Sequence, residues 1–317
     1  MNPQYETLRP LKGASLGTLS TITPDQLDAL LTLASEVKAN PDPYRQCLKD
    51  KSFALVFEKH STRTRVSFEV GVHELGGNPI FLSRNEIQLG RGEPIEDTAM
   101  VLSRYVQGIV LRTYGQERFD AMAGASTIPV INALTDQFHP CQVLADLQTI
   151  REHRGALAGK TLTWIGDGNN MAHSLMLGCA LSGMHFRAAS PDGYLCNPDV
   201  VQTAETIAAN TGATLRLMTD PQGAVDGCDV VVTDVFTSMG QEDEQAKRLQ
   251  AFEGYQVNEA LMNRAQSDAL FLHCLPAHRG EEVTAEVIDG RWSVVWDEAE
   301  NRLHAQKALM LALMGAL

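Results

Sequence analysis

Residues 53–57 read Phe53-Ala54-Leu55-Val56-Phe57, five apolar residues with no polar alternation. A strand of that composition is buried on both faces, as in a parallel sheet covered by helices. Similar runs recur at 79–83, 108–113, 127–133, 161–167, 185–190, 214–218, 230–235, 270–275 and 294–297, and with 52–58 they are the expected strands. Amphipathic stretches at 23–39, 65–75, 96–105, 141–153 and 172–182 read as helices between them. This alternation predicts an α/β fold of parallel sheets flanked by helices. The chain has 317 residues, more than one core usually organises, so two domains of roughly 150 residues each are expected. The small, Gly-containing stretch 155–160 marks the boundary, giving domains 1–153 and 154–298. Residues 299–317 form a strong helix with an apolar stripe, expected to pack back on the first domain. The active site is expected in the cleft between the domains.

Open parallel sheets bind ligands at the carboxyl ends of their strands. Those positions carry polar groups throughout. The first expected strand leads into Ser61-Thr62-Arg63-Thr64-Arg65, another ends at Arg112, and the fourth runs on to His139-Pro140-Cys141-Gln142. In the second half the corresponding places hold Gly166-Asp167-Gly168-Asn169-Asn170, then Asp234 to Gly240, then His273-Cys274-Leu275-Pro276, and finally Asp297 to Arg302. The two halves differ in chemistry. Arg63, Arg112 and His139, beside hydroxyls at a helix start, suit a phosphate-like anion. Asn170, Asp234 and Ser238 suit the ammonium and carboxylate of an amino acid.

Taken singly, each feature has a plainer reading. Ser61 or Thr62 reads equally as a helix cap, His139-Pro140 as a helix start, and Gly166–Asn170 as a tight turn. The turn lacks the G-x-G-x-x-G spacing, so a nicotinamide cofactor is discounted and no cofactor is expected. His273, Cys274 and His278 lack metal-site spacing and a third ligand, so no metal is expected. In a helix, positions two apart lie about 200° around the axis, so Arg63 and Arg65 do not grip one anion. Arg63 is the ligand-facing choice, and Arg65 a supporting residue at the back of the site or in an ion pair.

The net charge of −13 and pI near 5.1 exclude a general nucleic-acid or anionic-membrane surface, while leaving room for a local arginine cluster. No stretch approaches a membrane span and the first residues lack the apolar core of a signal peptide, so a cytoplasmic protein is expected. The six scattered cysteines, with no C-x-x-C, read as reduced thiols.

The ordered set S-T-R-T-R, F-H-P-C-Q, G-D-G-N-N-M, D-V-F-T-S-M-G-Q-E and H-C-L-P-A-H-R-G-E-E resembles the motifs of the ornithine carbamoyltransferase family, over essentially the whole chain. The first two are shared across carbamoyltransferases. S-M-G and H-C-L-P point to ornithine rather than aspartate as acceptor. The resemblance implies that Ser61, Thr62, Arg63 and Thr64 hold carbamoyl phosphate, with Arg112, His139, Gln142 and Arg302. It implies that Asn170, Asp234, Ser238 and Met239 hold ornithine, and that Cys274 and Leu275 line the place where amine and carbamoyl carbon meet. Arg63, Arg112, His139 and Cys274 are the implied catalytic set. Gln88 resembles the family's loop residue that reaches a neighbouring subunit's site, and a homotrimer or multiple of trimers is implied. The implied reaction gives citrulline and phosphate, in arginine biosynthesis. Alternatives are another amine acceptor, the catabolic direction, a non-catalytic binding protein with this fold, or a nicotinamide enzyme using the Gly166–Asn170 turn.

Overall fold

The computed structural model describes residues 3–317 except 86, 88, 90, 91 and 238–241, so Gln88, Ser238 and Met239 lie outside the described residues. The chain forms two compact units, Met1–Gln148 with Glu300–Leu317, and Thr149–Ala299.

The first α-helix of the first unit is α1 (Pro24–Ala39), whose start is fixed by a capping box. Gln26 N–H donates to Thr23 Oγ1, and Thr23 N–H donates to Gln26 Oε1. Then follow β1 (Ser52–Phe57), α2 (Arg63–Glu74), β2 (Asn78–Ser83), α3 (Ile95–Tyr105), β3 (Gly108–Arg112), α4 (Gln116–Ala125), β4 (Val130–Leu134) and α5 (Pro140–Arg154), whose last residues belong to the second unit. The sheet order is β2-β1-β3-β4 with parallel pairing throughout. Residues 53–57 are buried along their whole length, as their composition requires. Ala54 and Val56 join Ile95, Ala99, Phe119 and Met122 of α3 and α4 on one face. Neighbouring strand residues point the opposite way.

The second unit contains β5 (Thr161–Ile165), α6 (Asn170–Ser182), β6 (His185–Ala189), α7 (Pro198–Thr211), β7 (Leu215–Met218), α8 (Pro221–Val225), β8 (Val230–Thr233), α9 (Gln245–Ala251), α10 (Glu259–Met262), β9 (Leu270–His273) and α11 (Ala285–Ile288). Its sheet is parallel, in the order β7-β6-β5-β8-β9. The last helix, α12 (Val295–Met314), starts here and continues into the first unit. There Lys307 Nζ bonds Glu74 of α2 at 2.7 Å. Gly71 of α2 permits this close packing, since a Cβ there would lie 3.3 Å from Lys307 and from Met310.

The strand expected at 294–297 is corrected. The chain makes one bridge beside β9, at Ser293, and then enters α12. Val294-Val295-Trp296 has strand-like propensity. The buried residues Glu298, Asn301, Arg302, Ala305 and Leu309 recur at helical spacing, and their packing overrides it.

Candidate active site

In the first sheet, chain order reverses direction between β1 and β3, and ligands favour such a crevice. The ends of these strands lie level, with Phe57 opposite Arg112. The β3–β4 register shifts between Leu111 and Arg112, an irregularity at the end of that ladder. After β1 the chain turns at once into α2. Ser61 Oγ accepts the Thr64 N–H at 3.2 Å, so Ser61 caps the helix, while Thr62 makes no side-chain cap. The α2 N-terminus adds the partial positive charge of its dipole.

Arg63 is exposed, whereas Thr64, Arg112, His139, Gln142 and Arg302 are buried. Arg302 of α12 donates to Gln142 Oε1 at 2.5 Å and to Thr64 Oγ1 at 3.1 Å. Gln142 in turn donates to Asp146 at 2.8 Å. Burial, and then the charges of Arg302, Arg112 and Arg63, hold the His139 imidazole well below its usual range. His139 is therefore a neutral imidazole beside three guanidiniums at pH 7. The guanidiniums attract an anion, and a neutral imidazole carries one ring N–H. Arg65 faces elsewhere, as helix geometry predicts. It pairs with Glu69 at 3.2 Å and lies over the Phe81 ring, 3.5 Å from its centroid.

In the second sheet the reversal falls at β5, whose neighbours are β6 and β8. The turn after β5 is pinned from several sides. Trp164 Nε1 donates to Asp167 O, Gly168 N–H donates to Tyr194 O, and Arg248 pairs with Asp167 at 2.7 Å. Asn169 caps α6 through the Met171 and Ala172 N–H groups, which makes Asn170 the first helical residue. Asp234 follows β8 and is buried. That burial pushes its carboxyl above the usual range, against the opposing effects of His273 and a hydrogen bond from Cys274.

Cys274 and Leu275 follow β9 in the second unit, where Cys274 adjoins Asp234. Leu275 has φ +58°, a left-handed conformation that costs a branched residue roughly 1–3 kcal/mol and is typical of functional turns. Its N–H donates to His273 Nδ1 at 2.9 Å, which places the ring proton on Nε2, 3.2 Å from buried Glu282. The expectation that His273 and Cys274 lack a third ligand-type partner is corrected. Ligand atoms of Asp234, His273 and Cys274 lie within 4.8 Å of one another. The Asp234 contact joins separate strands, so no local spacing could reveal it. Glu282 was also missed, although its place in the H-R-G-E-E run beside His273 was a usable signal. None of the six cysteines forms a disulfide, and burial raises the Cys141 and Cys196 thiols to about 12.

Two parallel sheets, with an anion-attracting arginine cluster on one and a buried carboxylate on the other, define an α/β protein of two units with a candidate anion site. Residues 15–152 match the carbamoyl-P binding domain, and residues 158–313 the Asp/Orn binding domain, of the aspartate/ornithine carbamoyltransferases. The chain belongs to that family and is a carbamoyltransferase. It is 56% identical over 306 residues to the ornithine carbamoyltransferase of Oceanobacillus iheyensis, covering 96% of this chain and 95% of that one. With the Halalkalibacterium halodurans enzyme of the same name it shares 52% identity, covering 99% of each. Among solved structures, ornithine carbamoyltransferase from Pyrococcus furiosus superposes with a TM-score of 0.93 at 46% identity, covering 97% of this chain and 99% of that one. The anabolic ornithine carbamoyltransferase of Campylobacter jejuni gives 0.89 at 40%, covering 94% and 97%.

Proposed function

We propose that this protein is an ornithine carbamoyltransferase, moving the carbamoyl group of carbamoyl phosphate to the δ-amine of L-ornithine, in arginine biosynthesis in the cytoplasm. The observation that carries the reading is the gathering of Arg63, Arg112 and Arg302 around a neutral, buried His139. Ser61, Thr62, Arg63, Thr64, Arg112, His139, Gln142 and Arg302 hold carbamoyl phosphate, with Gln88 reaching it from a neighbouring subunit. Asn170, Asp234, Ser238 and Met239 hold ornithine, and Cys274 and Leu275 line the reacting amine. Residues 1–153 with 299–317 serve the first substrate and 154–298 the second.

The neutral amine attacks the carbamoyl carbon, a C–N bond forms, the C–O bond to phosphate breaks, and the amine proton is released. Phosphate is already a good leaving group, so the protein's task is positioning and charge stabilisation. The Arg63 and Arg112 guanidiniums and the His139 N–H take up charge developing on the carbonyl and phosphate oxygens. The attacking form is the deprotonated amine, so the rate rises with pH until the amine is neutral.

Several observations support the remaining parts. The family relatives are named for ornithine, and one neighbour is named anabolic. No helix among the described residues is long and apolar enough to cross a membrane. Val66 and Val70 of α2, Ile80 of edge strand β2, and Met100, Val101 and Tyr105 of α3 are all substantially exposed on the first unit, which fits self-association as a homotrimer. The decisive assay is citrulline formation from carbamoyl phosphate, run with ornithine against aspartate, putrescine and acylated ornithine. Preference for another acceptor overturns the ornithine assignment.

A further inference from the structure

Glu58 directly follows β1 and stands three residues before Ser61. Its side chain is only 3% exposed. Arg118, in the first turn of α4, grips both carboxylate oxygens: Nη2 donates to Oε1 at 2.6 Å and Nε to Oε2 at 2.9 Å. Thr113, the residue after Arg112, completes the cluster. Its hydroxyl donates to Glu58 Oε2, and its Oγ1 lies 3.2 Å from Arg118 Nε. One backbone bond and one side-chain bond to a backbone carbonyl add two ties between the same segments. Glu58 N–H donates to Arg112 O at 2.8 Å, and Tyr114 Oη donates to Glu58 O at 3.5 Å.

These bonds join two places that matter. Glu58 leads into Ser61–Arg63, and Thr113 follows Arg112 where the β3–β4 register has become irregular. The β4 side of the ladder is thus irregular at Arg112, while the β1 side runs regularly to Phe57 opposite Arg112, and the side-chain cluster ties the two segments just beyond that pair. A bidentate guanidinium–carboxylate pair constrains orientation as well as distance, which a single point charge does not. Its burial also makes it costly to break, because removing one partner strands the other charge.

We infer that Arg118 is a positioning residue: by clamping Glu58 against Thr113 it locks the ends of β1 and β3 together and sets the spacing between Arg63 and Arg112. This rests on the proposed carbamoyl-phosphate site. Arg118 itself has no role in holding substrate. Its removal acts on the phosphate-bearing substrate and leaves the amine acceptor untouched.

The test compares Arg118→Ala, Arg118→Lys, Glu58→Gln and the double variant Glu58→Gln/Arg118→Ala. Two readouts are used: inorganic phosphate affinity by calorimetry, and steady-state citrulline formation. In Arg118→Ala the phosphate Kd and the KM for carbamoyl phosphate should each rise about 10-fold or more, since small misplacement of binding groups has large effects. The KM for ornithine at saturating carbamoyl phosphate should stay within about twofold. Arg118→Lys should recover only part of the loss, because an ammonium cannot bridge both oxygens. The double variant should be no worse than the worse single variant if the pair acts as a unit. Equal losses for both substrates, additive losses, or full rescue by lysine would overturn the inference. If Arg118→Ala does not fold, Glu58→Gln and Arg118→Lys carry the same comparison, and unchanged phosphate affinity in folded Glu58→Gln overturns it. A wild-type protein that binds phosphate yet makes no citrulline refutes the ornithine reading while leaving the clamp tested by calorimetry. One that does neither refutes both.

Discussion

His139 should make the first unit sensitive to acid, by an amount that follows from its surroundings. Burial and the three guanidiniums hold its folded pKa well below the usual value. The unfolded chain takes up this proton as pH falls through about 6.5, whereas the native site refuses it. Stability present at neutral pH is therefore lost on acidification, at a limiting slope of about 1.4 kcal/mol per pH unit. An ordinary imidazole takes up its proton over this range, so the loss between pH 7 and pH 5 is at most about 2 kcal/mol. Replacing His139 by Asn removes the titration and keeps a neutral N–H donor. The assay is urea unfolding of wild type and His139→Asn at both pH values, comparing the drop in stability. Other groups, including His304, which burial also depresses, cancel in that difference. Far-UV circular dichroism is the appropriate signal, because Trp164, Trp292 and Trp296 all lie in the second unit and their fluorescence would miss the transition of interest. The imidazole carbon resonance assigned by the same variant should stay constant from pH 7 to 5. A resonance titrating near 6.5, or parallel stability losses in the two proteins, would refute the reasoning.

Three further outcomes are expected. Arg63→Ala should lower turnover at saturating substrates by about 100-fold or more, since a lost oxyanion donor typically costs roughly 3–4 kcal/mol; near-normal turnover in the folded variant rules the role out. Asp234→Asn should raise the melting temperature at pH 7, because burial disfavours the carboxylate, while the ornithine KM rises about 10- to 100-fold as the ammonium loses its counter-charge. A lower melting temperature would contradict the first half of that statement. In Gly168→Ala the new Cβ would meet Cys196 N and Leu195 C at 2.3 Å, so the turn carrying Asn170 must shift. That should cost about 1–3 kcal/mol in thermal unfolding and weaken ornithine more than carbamoyl phosphate, as parallel KM measurements will reveal.

Much of this architecture was legible from composition. Residues 53–57 announce a strand buried on both faces, and the hydroxyl and arginine groups after it stand at the strand end, where sheets of this type place ligands. The helix expected at 23–39 is likewise a local signal, and it forms over Pro24–Ala39. Contacts between distant segments were not legible. Glu58 meets Arg118 sixty residues away in sequence, and Asp234 meets Cys274 from another strand. Nothing in local periodicity encodes such pairs. The error at 294–297 has the same origin, since Val294-Val295-Trp296 favours a strand by itself and only the buried face of the residues beyond makes it the start of a helix.

The path of α12 has a consequence for how the protein is made. Thr149–Ala299 is one continuous stretch, but the unit begun by Met1–Gln148 is completed by Glu300–Leu317, which are synthesised after the whole of the second unit. Until those residues leave the ribosome, Glu74 lacks Lys307, Thr64 lacks Arg302, and the surface that receives Ala305 and Ala308–Leu313 stands open. The later unit is therefore free to close its sheet while the earlier one waits. A message cut short before codon 300 yields a chain with an apolar groove on display, a mark that proteases and chaperones can read. The groups proposed to hold phosphate therefore assemble only once α12 has been made.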